Sequence, residues 1–189
     1  DQAGVIALIS GIQRGEFGLA ITPQDQPDLM DIDGFYRPGV GEFWVAEAAG
    51  AVVGCIALLD IGGGQAALRK MFVNPDWRGA ERGAAKALLA TLLEHARTSG
   101  ITEIYLGTTT RFLAAHRFYE KHGFALIDKD ALPPAFPVMA VDTVFFTRSL
   151  EPAPASSSCS TSPIRPTRVS CLRSRLGRRT VIATSQSRA

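Results

Sequence analysis

Cysteine is scarce in this chain. Cys55, Cys159 and Cys171 are its three among 189 residues, an odd number with no two close together. That pattern excludes a disulfide framework and the paired spacing of a structural zinc site. Histidine is as sparse: His95, His116 and His122 all fall in stretches that read as helix, so no metal is expected. No apolar run reaches the roughly 20 residues that a spanning helix needs, so no membrane partner is expected. The opening DQAGVIALIS has neither a positive leader nor a small-residue cleavage site, which points to a cytoplasmic protein. Hydrophobic residues are not lacking; at 46% they suffice for a buried core.

Lysine is missing from residues 151–189, which hold seven arginines and a single acid, Glu151. The other residues carry 13 basic and 17 acidic side chains, so the net charge of +2 joins an acidic body to a basic tail. The tail is rich in Ser, Pro and Thr and shows no sustained period of strand or helix. Such a composition cannot bury enough apolar surface to offset ordering entropy. We therefore expect a folded domain over residues 1–150 and a disordered Ser/Pro/Arg-rich tail over 151–189. An Arg-rich arm can touch nucleic acid, but the lack of Lys and of interleaved aromatics argues against that partner.

Within the domain, strand and helix signals alternate. Val5, Ile6, Leu8, Ile9 and Ile12 suit a helix over 3–15 packed on one face. A loop dense in Asp, Pro and Gly follows, with a short helix expected over 25–32. Residues 42–48 alternate, break at Ala49-Gly50 and resume at 51–60, which predicts a hairpin. A third strand is expected over 66–73 and a helix over 83–98, where apolar residues recur on one face and Gly100 ends the run. Strands over 103–106, 124–128 and 138–147 and a helix over 112–122 complete the pattern. The expected fold is α/β (α+β): a mixed, mostly antiparallel sheet flanked by helices, with one strand–helix–strand unit. An apolar final strand at a sheet edge would offer a surface for a homodimer.

Two stretches carry chemistry. In MFVNPDWRGAERGAAKALLATLLEHA (Met71–Ala96) a strand turns at Pro75, passes through a loop bearing Arg78, Gly79, Arg82 and Gly83, and enters a helix. Amides at a helix start, with glycines that allow close approach and arginines beside them, suit a phosphate group. Neither a G-x-G-x-x-G nor a Gly-Lys-Ser/Thr loop is present, so it is not a dinucleotide or Walker site. The second stretch is AAHRFYEKHGF (Ala114–Phe124), where Tyr119 is the one phenol able to give a proton to a departing thiolate.

These two motifs, in this order, resemble the GNAT superfamily of N-acetyltransferases. Phe72-Val73-Asn74-Pro75 looks like the family's strand end, Gly83-Ala84-Ala85 like its phosphate-binding G-x-G/A, and Ala115–Phe124 like A-x-x-x-Y-E-K-x-G-F. The resemblance implies acetyl-coenzyme A as co-substrate, held in a V between strands 68–73 and 103–106. It implies cofactor contacts from Met71, Phe72, Val73, Arg78, Gly79, Arg82, Gly83, Ala84, Ala85, Ala115, Phe118 and Tyr119. Tyr119 would act as the acid, and a small amine or amino-acid-like acceptor would attack directly. The acceptor is expected against Phe35, Tyr36, Glu47, Phe136 and Met139, with Glu47 or Asp142 taking its proton through water. The sequence departs from the family in its longer Arg78–Gly83 loop, in Phe112 where an Asn is common and in Ala67 where a Glu is common. Those departures leave open a coenzyme A-binding regulatory module without catalysis. The family's opening strand has no counterpart before residue 1, so it is expected to be missing from this sequence.

Overall fold

The computed structural model describes residues 2–151 and the backbone of residues 181–183. The chain opens with α1 (Gln2–Gly11), which widens into a π-helical turn over Ile12–Glu16. Short helices α2 (Pro27–Met30) and α3 (Ile32–Tyr36) replace the single helix expected over 25–32. Pro27 begins α2 where its missing N–H costs nothing, and the Asp31 side chain accepts from Gly34 N–H to start α3. Strands β1 (Glu42–Ala48) and β2 (Ala51–Gly62) form the expected hairpin. Its two-residue turn holds Ala49 at φ 50° and Gly50 at φ 79°, the left-handed pair that matches strand twist. Next come β3 (Gln65–Val73), α4 (Ala84–Thr98), β4 (Glu103–Thr108), α5 (Leu113–Lys121), β5 (Ala125–Ile127) and β6 (Val144–Ser149).

The last of these corrects the expectation for residues 138–147. Pro137 precedes the segment, and Met139 and Asp142 close a turn on each other: Met139 N–H donates to Asp142 Oδ2 at 2.9 Å and Asp142 N–H to the Met139 carbonyl at 3.0 Å. Extended pairing therefore starts only at Val144, and Asp142 lies in a loop rather than on a strand.

The sheet order is β5-β6-β4-β3-β2-β1-β7, where β7 is Val181–Ala183, parallel to the outer edge of β1. β3 and β4 are parallel; the other neighbouring pairs among β1–β6 are antiparallel, as the expected mixed sheet requires. The disorder expected for the tail concerns residues that, apart from β7, lie outside the described residues.

Two layers cover the sheet. On one face α4 buries Leu88, Leu89, Leu92, Leu93 and Ala96 against Ile56, Leu58, Ile104 and Leu106. Each such leucine contributes about 1.5–3 kcal/mol of transfer free energy. Gly54 makes the approach close: a Cβ there would stand 3.0 Å from the Leu88 side chain. On the other face Val5 and Ile9 of α1 and Ile12 of the π turn pack with Leu29, Tyr36, Phe43, Cys55 and Ala57. Cys55 is wholly buried, as its apolar setting predicts, and donates to the Lys70 carbonyl at 3.1 Å. Burial pushes its thiol up to about 12, so it is no nucleophile. Among the described residues no helix is long and apolar enough to cross a membrane, and no cluster of three His, Cys, Asp or Glu could hold a metal.

Candidate active site

The site exists because two parallel strands part. β3 and β4 pair only over Gln65–Ala67 and Glu103–Tyr105, although both strands run on. β3 also bulges: Ala57 faces Arg69 and Cys55 faces Phe72, leaving Lys70 and Met71 opposite Ile56 alone. Lys70 takes a left-handed φ of 51° to make that bulge, which bends the strand. Buried Lys70 is fixed by Asp28 at 3.2 Å and by Gln26 Oε1 at 2.8 Å. Burial lowers its pKa and the Asp28 charge opposes that shift. The bulge is thus pinned to the helical layer.

A cavity of about 390 Å³ lies along β3 where it runs past its last rung with β4. Met71, Phe72 and Val73 of β3, Arg78 and Gly79 of the following loop, Ala85 of α4 and Ala115, Phe118 and Tyr119 of α5 line it. These nine residues from two motifs meet around one cavity. Arg82, Gly83 and Ala84 do not line it. The Arg82 guanidinium stacks over Trp77, 5.0 Å from the ring centre, while Gly83 caps α4 at φ 67° and Ala84 is buried beneath the helix. Sequence reasoning missed a third wall: Ile12, Glu16 and Phe17 from the π turn, with Arg111 and Phe112 before α5. Phe17 meets Phe112 edge to face at 4.4 Å, so the position where the family often carries Asn is spent on packing.

Tyr119 is the chemically distinctive wall residue. It is 5% exposed and packs against Phe118, Phe124 and Phe146. Its hydroxyl has no hydrogen bond among the described residues, yet is not among the sealed unpaired polar atoms, so it opens on the cavity. Burial alone raises its pKa above the ordinary value of 10.0, which keeps the proton in place at neutral pH.

At the other end, no side chain caps α4, so its first-turn amides await an acceptor. A Cβ added at Gly79 or Gly83 would meet nothing within 4 Å, which leaves the loop's surface open to a ligand. Arg78 is already engaged. Its Nε donates to the Val73 carbonyl at 2.8 Å and its two Nη atoms grip both oxygens of Glu16 at 2.6 Å each.

The residues expected around the acceptor are dispersed. Phe35 is half-exposed on α3. Tyr36 is corrected to a core position: it is wholly buried, and its hydroxyl donates to Asp28. Glu47 sits on β1, the strand next to β7 and two strands away from β3, and does not line the cavity. Phe136 is buried against Tyr105 and Phe145, whereas Met139 is half-buried and reaches Arg69. Neither carboxylate considered as base lines the cavity, but Asp142 lies beside β4. Its Oδ2 lies 2.5 Å from where a Cβ of Gly107 would stand, on β4 beyond the last rung shared with β3.

A mixed sheet opened between its parallel strands defines the acyl-coenzyme A N-acyltransferase class. The family model described as "Acetyltransferase (GNAT) family" matches residues 11–124, and the chain belongs to that family. It is similar to an acetyltransferase of the GNAT family from Staphylococcus aureus Mu50, with a TM-score of 0.75 and 35% identity over 79% of this chain and 93% of that one. N-acetyltransferase family 8 member 2 of Rattus norvegicus is 38% identical over 104 residues, 52% of this chain and 45% of that protein. N-acetylaspartate synthetase of Danio rerio is 34% identical over 123 residues, 63% of this chain and 43% of that protein. The chain thus spans less than half the length of these two relatives.

Proposed function

We propose that this chain transfers an acetyl group from acetyl-coenzyme A to the primary amine of a small, amino-acid-like acceptor in one direct step. The observation that carries the reading is the Tyr119 hydroxyl, held protonated and without a partner among the described residues, on a cavity that runs along β3 past its last rung with β4. The name of the Danio rerio relative, an N-acetylaspartate synthetase, supports an amino-acid-like acceptor.

The residues present fit acetyl-coenzyme A. The uncapped start of α4 and the open loop at Gly79 and Gly83 suit the diphosphate. The edge of β3 at Met71–Val73 faces the cavity and can align the pantetheine. Arg78 can add to the phosphate contacts only by loosening its hold on Glu16.

When bound, acetyl-coenzyme A supplies a thioester carbonyl for the amine nitrogen to attack. An amide of β3 near Phe72 stabilises charge on the carbonyl oxygen; one oriented donor is typically worth roughly 2.7–4 kcal/mol. Tyr119 gives its proton to the sulfur as the carbon–sulfur bond breaks. Asp142 takes the proton that the amine loses, through water; burial raises its carboxyl, which makes it a stronger base. The rival reading, a binding module without turnover, draws on Phe112 and Ala67 where the family often has Asn and Glu.

Incubating the full chain with acetyl-coenzyme A and a panel of amines and amino acids, with release of free thiol as the readout, tests the proposal. Acceptor-dependent thiol release is expected. Binding of acetyl-coenzyme A with no release for any acceptor would select the binding module instead.

A further inference from the structure

Arg69 is the residue that the cavity leaves unexplained. It stands on β3 immediately before the bulge, opposite Ala57, on the face covered by α1–α3. Its side chain runs toward the 137–142 loop, where Nη2 donates to Met139 Sδ at 2.6 Å. That is its one hydrogen bond among the described residues, and a thioether is a weak acceptor for a group with five donors. No described carboxylate lies within the 4.0 Å of an ion pair with it.

The neighbours are already committed. The Tyr36 hydroxyl goes to Asp28, and Asp28 also pairs with Lys70. Asp142 feels the Arg69 charge, yet its Oδ2 is held by Met139 N–H and packed on Gly107. Adjacent Lys70 shows the ordinary solution, an acid and an amide oxygen within 3.2 Å. A half-buried guanidinium with most donors unused bears a desolvation cost that an anionic ligand would offset. Its planar fork fits a carboxylate through two parallel hydrogen bonds.

The position suits a reacting molecule. Arg69 precedes the cavity residue Met71 by two places, on the near side of the bulge. It lies between the helical layer and the 137–142 loop. An amino acid gripped there by its carboxylate can extend its amine toward the parted strands.

We propose that Arg69 anchors a carboxylate of the acceptor, making the substrate class free amino acids rather than simple alkyl amines. This rests on the transferase reading, but it can be tested apart from it. In the full chain, turnover of L-aspartate and β-alanine is compared with that of ethylamine, in wild type, Arg69→Gln and Arg69→Lys. Arg69→Gln is expected to raise KM for the two carboxylate-bearing acceptors roughly tenfold or more, and to collapse their preference over ethylamine, as the loss of a charged hydrogen-bonded pair does. Arg69→Lys keeps the charge without the fork and retains part of the preference. Melting temperatures near wild type establish that the variants fold. Calorimetry with succinate, which cannot be acetylated, reads the anchor without catalysis: binding to wild type that is lost in Arg69→Gln is expected. If no amine turns over but succinate shows that pattern, the anchor stands and the transferase reading fails. Equal efficiency for amines with and without a carboxylate overturns the anchor. So does succinate binding that Arg69→Gln leaves intact, or its absence from wild type.

Discussion

Tyr119 holds its proton because burial raises its pKa, and it lines the cavity with no hydrogen bond to its hydroxyl among the described residues. Tyr119→Phe should lower kcat by about 10²–10⁴-fold, the usual worth of a positioned acid. KM for acetyl-coenzyme A should barely move, since the ring stays in its aromatic nest; steady-state kinetics separate the two effects. Asp142 calls for a subtler change, because it also holds the Met139 amide. Asp142→Asn keeps an acceptor for that amide but removes the base, so kcat should fall while the melting temperature holds. Gly107→Ala acts differently. Its new Cβ would stand 2.5 Å from the Asp142 carboxylate and force the 139–142 turn away. A loss of about 1–3 kcal/mol, the usual cost of overpacking, is expected in denaturant unfolding.

Among the elements, the π turn and the loop after β3 are tied by the Glu16–Arg78 pair, 62 residues apart in sequence. Hydrogen bonding to Arg78 holds the Glu16 carboxyl below its ordinary value of 4.5. A depressed carboxyl contributes stability above its unfolded value and loses it as pH falls through the folded one. The stability difference between wild type and Glu16→Gln should therefore be small, as for most partly exposed pairs, should shrink as pH falls below 4.5, and should vanish once pH lies below the depressed value in the folded state. A gap that persists at lower pH would contradict this account of the pair.

The elements also show what a sequence can convey. β1 was legible to the residue, because alternation over 42–48 ends at a left-handed Ala49-Gly50 turn. α4 was legible because its leucines repeat on one face. The start of β6 was not: Val138–Thr143 is as apolar as a strand, and only the Asp142–Met139 turn reveals a loop. Tyr36 misled for a similar reason. An aromatic residue among Asp, Pro and Gly reads as a loop tip until Asp28 claims its hydroxyl. Glu16 and Arg69 carry no local signal, since each acquires meaning from a partner or vacancy distant in sequence.

At the scale of the molecule, a cavity walled by β3, the π turn, α4 and α5 makes the fold sensitive to its occupant. Acetyl-coenzyme A at a hundred times Kd should stabilise the native state by about 2.7 kcal/mol, on the order of 5–10 °C in Tm for a domain of this size. We propose that residues 1–150 carry this response and that the Arg-rich tail does not. The most direct test of the central claim is calorimetric titration of the full chain with acetyl-coenzyme A, for wild type and Tyr119→Phe, followed by thiol release on the same samples with an amino-acid acceptor. The account predicts binding by both proteins and turnover by wild type alone. Failure of folded wild type to bind acetyl-coenzyme A, or equal turnover by the two proteins, would contradict it.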